Sequence, residues 1–253
     1  MRFFDNKKPP LVAMVSADNE QDTVLEIINS LYDGADAIGI QLDRIKSEYK
    51  SEECLARIIA ACSERPVYVT SYKGGENADY TYEECAELLM LSLRLGATLL
   101  DVPGDFYLKG ENGMTYDACA VAKQRALIDR IHAEGGYVLM SCHHGEELSR
   151  EEIISHAISQ QERGADVAKI VVKCESEDKM IEHIGTIAEL KRQLKIPFLY
   201  LTSGPRKYAG LIRQIGTAFG VCMYLCVAHH EKGATALQPK LRQAKLLRDN
   251  IIF

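Results

Sequence analysis

The sequence predicts an α/β fold, a (β/α)8 barrel built as one domain over residues 1–253. Three observations carry that expectation. Short apolar runs alternate strictly with longer amphipathic ones, eight of each, as parallel strands joined by helices require. The short runs are almost continuously apolar, the pattern of a sheet covered on both faces. The length of 253 residues suits such a barrel. An open doubly wound sheet is the structural alternative. It usually carries a glycine-rich phosphate loop after its first strand, and SADNEQD at 16–22 is no such loop.

The elements follow in order. LVAMVSA (11–17) reads as a strand, and DTVLEIINSLYDG (22–34) has helical spacing and ends on glycine. AIGIQLD (37–43) and PVYVTSY (66–72) are the next strands, each followed by a helix, ECLARIIAAC (53–62) and YEECAELLMLSLRLG (82–96). TLLDVPG (98–104) precedes a helix at 117–135, and YVLMSCH (137–143) precedes one at 149–164, where Ser149 and Glu152 form a capping box. VAKIVVK (167–173) leads into a helix at 176–194, and PFLYLTS (197–203) into a shorter one near 207–216. VCMYLCV (221–227) and a helix at 239–250 complete the alternation. A faint repeat links GADAIGIQLD (34–43) and GADVAKIVVK (164–173), and a glycine that ends a helix before a short turn into a strand accounts for it.

Composition narrows the function. Hydrophobic residues make up 47% and charged residues 26%, ordinary values for a globular protein. A net charge of -6 argues against a nucleic-acid partner, because phosphate binding needs a basic face. No apolar run is long enough to cross a membrane, and MRFFDNKKPP lacks the apolar core of a signal peptide. The eight cysteines form no CxxC pair and read as reduced thiols of a cytoplasmic protein, with no metal expected. A homodimer is expected from the prevalence of two-fold assemblies.

In such a barrel the chemistry sits at the carboxyl ends of the strands. The polar residues there are Gln41 and Asp43, Ser71 and Tyr72, Asp101, Ser141 and His143, Lys169 and Lys173, Thr202 and Ser203. Alternation puts Ser141 and His143 on one face of the fifth strand, and Lys169 and Lys173 on one face of the sixth. His144 has the opposite parity and points toward the helices. Lys173, at a strand end, reaches solvent by snorkelling. Lys169 lies four residues deeper, inside a β-branched run, where a charged amine is costly unless it is used. A desolvated amine can condense with a ketone to an electron-withdrawing iminium, and a histidine on the adjacent strand can move the protons. His229 and His230 read as solvated loop residues, and Cys222 and Cys226 as core thiols.

With those residues placed, the chain resembles type I 3-dehydroquinate dehydratase over nearly its whole length. SCHH (141–144) is similar to the family's Ser-x-His motif, and GADVAKI (164–170) to its Gly-Ala-Asp-x-x-Lys motif. IRQIGTAFG (212–220) resembles the Ser-Arg-x-x-Gly-x-x-Phe-Gly segment, with Ile212 where the serine stands. The resemblance implies that Lys169 forms a Schiff base with a substrate ketone and that His143 moves protons at the adjacent carbon. Arg213 and Gln238 would hold a substrate carboxylate, a task suited to the planar guanidinium fork. No cofactor is implied, because the iminium is itself the electron sink.

Departures from the family are specific. The Glu-x-Arg-x-Asp strand reads Gly39-Ile40-Gln41-Leu42-Asp43, and Thr-x-Arg followed by Glu-Gly-Gly reads Thr70-Ser71-Tyr72, then Lys73-Gly74-Gly75. Asp-x-Glu has become Asp101-Val102-Pro103. The missing residues are those expected to bind ring hydroxyls and orient the histidine, so His143 is expected to lose carboxylate support and acquire a lower pKa. Gln41, Tyr72 and Ser141 would then contact the substrate, with Gln41 and Tyr72 at the altered end of the pocket. The expected activity is a Schiff-base dehydratase acting on 3-dehydroquinate or a related carboxylated keto compound. A class I aldolase-type cleavage by the same lysine is the enzymatic alternative, and a non-catalytic carboxylate sensor or partner subunit the other.

Overall fold

The computed structural model describes Phe3, residues 8–230 and residues 235–251. Most of the amino-terminal stretch read for a leader lies outside them. Eight parallel strands form one curled sheet: β1 (Leu11–Val15), β2 (Ala37–Gln41), β3 (Val67–Thr70), β4 (Leu99–Pro103), β5 (Tyr137–His143), β6 (Val167–Lys173), β7 (Phe198–Ser203) and β8 (Tyr224–Cys226). Each neighbour in sequence is a neighbour in space from β1 to β7, and β8 pairs with β1. Between β7 and β8 the link is a hydrogen bond from the Cys222 N–H to the Phe198 carbonyl, 2.9 Å. This is the expected (β/α)8 barrel.

The helices are α1 (Glu20–Tyr32), α2 (Glu52–Ala61), α3 (Tyr82–Arg94), α4 (Ala118–Ala133), α5 (Arg150–Glu162), α6 (Glu177–Gln193), α7 (Leu211–Ile215) and α8 (Leu241–Asn250). From α1 to α6 each begins behind a side-chain cap, supplied in turn by Asn19, Ser51, Thr81, Asp117, Ser149 and Ser176. Such a cap satisfies an amide that the helix leaves bare. The expected Ser149–Glu152 capping box forms, and Thr81 with Glu84 forms a second. The seventh helix departs from expectation. It has no side-chain cap, and a wide turn at Arg206–Gly210 and a tight one at Gly216–Phe219 flank a single α-turn.

Alternation along the strands separates two cores. Leu11, Ala13, Leu100, Val138 and Met140 pack against the helices, while Val12, Met14, Tyr68, Leu99 and Leu139 fill the barrel. A fully buried aliphatic side chain contributes roughly 1.5–3 kcal/mol, so these inward layers make a packed interior rather than a pore. The repeat noted in the sequence has a structural meaning. Gly34 and Gly164 take φ of 94° and 102°, which glycine adopts without penalty, and so end α1 and α5. The aspartates that follow tie neighbouring strands: Asp36 accepts from the Leu11 N–H at 2.9 Å and Asp166 from the Val138 N–H at 2.7 Å.

Candidate active site

Four adjacent strands bring one polar cluster to the barrel interior. β6 supplies Lys169, β5 Ser141 and His143, β4 Asp101, and β3 Tyr68, with Tyr72 just beyond its end. Ser141 stands opposite Lys169 in the parallel register, and His143 opposite Val171, two residues nearer the mouth. Lys169 is 4% exposed. It donates to Asp101 Oδ2 at 3.0 Å, to the Tyr72 hydroxyl at 2.9 Å and to the Tyr68 hydroxyl at 3.1 Å, which uses all three ammonium donors.

Asp101 is the hub. Its Oδ2 also accepts from both phenols, Tyr72 at 2.6 Å and Tyr68 at close range, and its Oδ1 accepts from Ser141 Oγ at 2.5 Å. Complete burial would raise the carboxyl pKa. The charge of Lys169 and the three hydroxyl donors outweigh it and hold the group below its ordinary value. Burial and the Asp101 charge push both phenols well above theirs, so they remain proton donors. Asp101 was only one of several strand-end polar residues in the sequence, and Tyr68 was hidden because a tyrosine in an apolar run looks like core. The signal was parity: Tyr68, Thr70 and Tyr72 share a face.

His143 and Lys169 are joined through Tyr72 rather than directly. The Tyr72 hydroxyl lies 3.5 Å from His143 Nε2, and the two rings meet edge to face with centroids 5.6 Å apart. The imidazole reaches solvent at the mouth, although protein crowds it on the barrel side. That crowding and the Lys169 charge lower its pKa, with a further contribution from Arg213. The direction is the expected one, and the Asp101 charge opposes it only in part. Arg213, on α7, donates from Nε to the Thr202 carbonyl at 2.7 Å, which aligns the guanidinium beside the mouth.

The other expected residues are less central. Gln41 ends β2, half-buried, on the inward parity. Gln238 is held in the loop before α8 by its backbone, whose carbonyl faces His230 Nε2 at 2.8 Å, and among the described residues no hydrogen bond joins its side chain to the lysine cluster. Lys73 turns away to the Ala78 and Tyr80 carbonyls, at 3.2 and 2.6 Å. Lys173 pairs with Glu175 at 3.2 Å near the surface, as snorkelling predicts. Gly39 cannot simply be restored to the family's glutamate: a Cβ there would lie 2.3 Å from Met14 Sδ and 3.2 Å from the Tyr68 ring. A cavity of about 690 Å3 opens beside β1 and β2, lined by Asp18, Asp22, Glu26, Asp43 and Glu76 among others. It excludes the lysine cluster, and its acidic wall is the wrong charge for a carboxylate. Among the described residues, the side chains that could hold a metal, Cys142, His144 and His156, lie on the other face of β5 from Lys169.

The sequence profile of type I 3-dehydroquinase matches residues 12–245. The chain belongs to the type I 3-dehydroquinase family. It is thereby a lyase of the dehydratase class. Solved structures agree in fold. The 3-dehydroquinate dehydratase of Geobacillus kaustophilus HTA426 is 16% identical with a TM-score of 0.82, covering 97% of this chain and 92% of that one. The type I enzyme of Clostridium difficile, in a structure with covalently modified comenic acid, is 19% identical with a TM-score of 0.80, covering 97% and 93%. That of Enterococcus faecalis is 17% identical with a TM-score of 0.76, covering 97% and 95%. No curated protein matches the chain. No described helix is long and apolar enough to cross a membrane.

Proposed function

We propose that this 3-dehydroquinase-family chain dehydrates 3-dehydroquinate, or a related carboxylated keto compound, through an iminium on Lys169. The observation that carries the reading is a shielded amine inside the barrel, held by Asp101 and two phenols beneath a histidine and an arginine. An ammonium proton leaves to solvent, and the freed amine, still held by Asp101, attacks the ketone. The C=N bond forms as the carbonyl oxygen leaves as water. His143, whose low pKa keeps it neutral, takes a proton from the carbon next to the iminium. The electron pair passes into the iminium as an enamine. Its return expels the β-hydroxyl, which leaves as water with the proton from His143. Hydrolysis then restores the ketone and Lys169. The covalently modified acid in the Clostridium difficile relative supports a covalent route on this fold.

Arg213 binds the substrate carboxylate, with Gln238 closing over it and Gln41 and Ser141 lining the pocket. The loss of family residues at Gly39, Tyr72 and Pro103 favours a substrate whose ring hydroxyls differ from those of 3-dehydroquinate, since a site without the matching partners discriminates less. We place the chain in the cytoplasm as a single-domain homodimer. Leu25, Ile28 and Tyr32, exposed on one face of α1, support a self-association surface, and sedimentation of the purified chain as a monomer would remove that part.

Borohydride reduction in the presence of 3-dehydroquinate or other cyclic keto acids tests the chemistry. The expected result is a mass adduct on Lys169, absent in Lys169→Ala. No adduct with any of these compounds overturns the reading.

A further inference from the structure

Behind the proposed site, between β5 and α5, the fold gathers a second set of donors. Cys142 and His144 leave the outer face of β5 two residues apart, and the His144 N–H continues the ladder by donating to the Val171 carbonyl at 2.8 Å. His156 and Gln160 lie one turn apart on α5 and so share its face. The Cys142 sulfur and a ring nitrogen from each histidine lie within 4.8 Å of one another. His144 Nε2 is 3.2 Å from Cys142 Sγ, and the two imidazoles stack at 5.2 Å with 17° between their planes. Cys142 is 1% exposed, His144 5% and Gln160 0%.

These side chains are under-satisfied. Of seven buried side-chain nitrogens and oxygens without a hydrogen-bond partner among the described residues, three are His144 Nδ1, His156 Nδ1 and Gln160 Oε1. Leaving such an atom buried and unpaired is costly, and three on neighbouring side chains mark a place built around lone pairs. A bland core would pair them or replace them with apolar groups. Gln160 is itself fixed by donating from Nε2 to the Lys169 carbonyl at 3.2 Å, its amide also hydrogen-bonds the Cys142 side chain, and its Oε1 has no partner among the described residues.

We propose that Cys142, His144 and His156 bind a divalent cation of borderline softness, of the zinc class, with Gln160 Oε1 or a water as the fourth ligand. One thiolate and two imidazoles form a donor set that suits zinc, and the enclosed position suits a structural ion. Binding displaces the thiol proton to solvent. The ion fastens α5 to β5 at the residues flanking His143. The assignment of the ion does not rest on the proposed lyase reaction.

The test uses the untagged full chain, stripped of metal and titrated with Co2+ as an optical probe. The expected result is saturation at about one equivalent, with tetrahedral visible bands and a thiolate charge-transfer band, all displaced by Zn2+. Cys142→Ser removes the charge-transfer band, and His156→Gln, on a half-buried side chain, abolishes tight binding while circular dichroism shows the fold intact. Zn2+ raises the melting temperature of the stripped protein and not that of His156→Gln. Absence of saturable binding, or binding that both variants leave unchanged, overturns the proposal.

Discussion

Lys169 and Asp101 form an ion pair, 3.0 Å from Nζ to Oδ2, in which the lysine side chain is 5% exposed and the aspartate 0%. It joins β4 to β6 across the intervening strand, inside the barrel. A charge pair so placed gives little net stability by itself, but removing one partner strands the other. The amine that the sequence marked as costly is therefore not solitary. The hydroxyls of Ser141, Tyr68 and Tyr72 complete the pairing by occupying the carboxylate.

Removing the carboxylate alone should be severe. Asp101→Ala is expected to destabilise the fold by about 3–5 kcal/mol, read from urea unfolding. The double variant Asp101→Leu with Lys169→Met should recover much of that loss, because neither charge remains buried. A double variant no more stable than Asp101→Ala would contradict this account of the pair.

Tyr72 is the link between the amine and the imidazole, and its hydroxyl alone makes the link. Tyr72→Phe keeps the ring against His143 and deletes that hydroxyl. The rate of borohydride-trapped adduct formation, and turnover where it is seen, should fall by about a hundredfold. Stability should change far less than in Asp101→Ala, which separates the chemical contribution from the structural one.

The glycine at position 39 is a packing requirement. Gly39→Ala brings a methyl against Met14 and should cost about 1–3 kcal/mol. Shortening the neighbour, in Gly39→Ala with Met14→Ala, should relieve the clash and leave a smaller loss. Melting temperatures of these two variants, set against the parent, decide this.

Acid should weaken the fold through its buried histidines, His183 among them. This ring on α6 is buried, with Nε2 facing the Lys173 carbonyl at 2.8 Å and Nδ1 the Tyr200 hydroxyl at 2.6 Å. The neutral tautomer serves both by donating to the carbonyl and accepting from the phenol. Burial lowers its pKa, the Lys173 carbonyl opposing that only in part. The unfolded chain therefore takes up a proton near pH 6.5 while the folded chain does not. Stability is fully present above about pH 6.5 and declines as pH falls below it toward the depressed folded value. The urea midpoint should drop between about pH 7.5 and about pH 5, and His183→Gln should flatten that slope.

Much of this was legible from local pattern. Period two along VAKIVVK and YVLMSCH placed Lys169 and His143 on inward faces, and Ser149 with Glu152 announced the start of α5, because these features depend on residues close in the chain. Tyr68 was harder to read, since parity alone put it on the inward face while its partners Asp101 and Lys169 lie 33 and 101 positions away. The Cys142, His144 and His156 cluster escaped because its spacing is split between a strand and the following helix, not held in a compact CxxC signature. The seventh helix broke up because no side chain caps it and glycines at 210 and 216 bound its single turn.

The hydrogen bond from Cys222 to Phe198 makes the β7–β8 junction the seam of the barrel. Elsewhere an opening fluctuation must break a ladder of two to six paired residues, whereas here it breaks a single connection. Local breathing concentrates where such connections are fewest. Amide protons at 222–226 should therefore exchange with deuterium ahead of those in β5 and β6. Since α7 spans this junction, Arg213 rides on its most yielding part, while Lys169 is anchored in its stiffest.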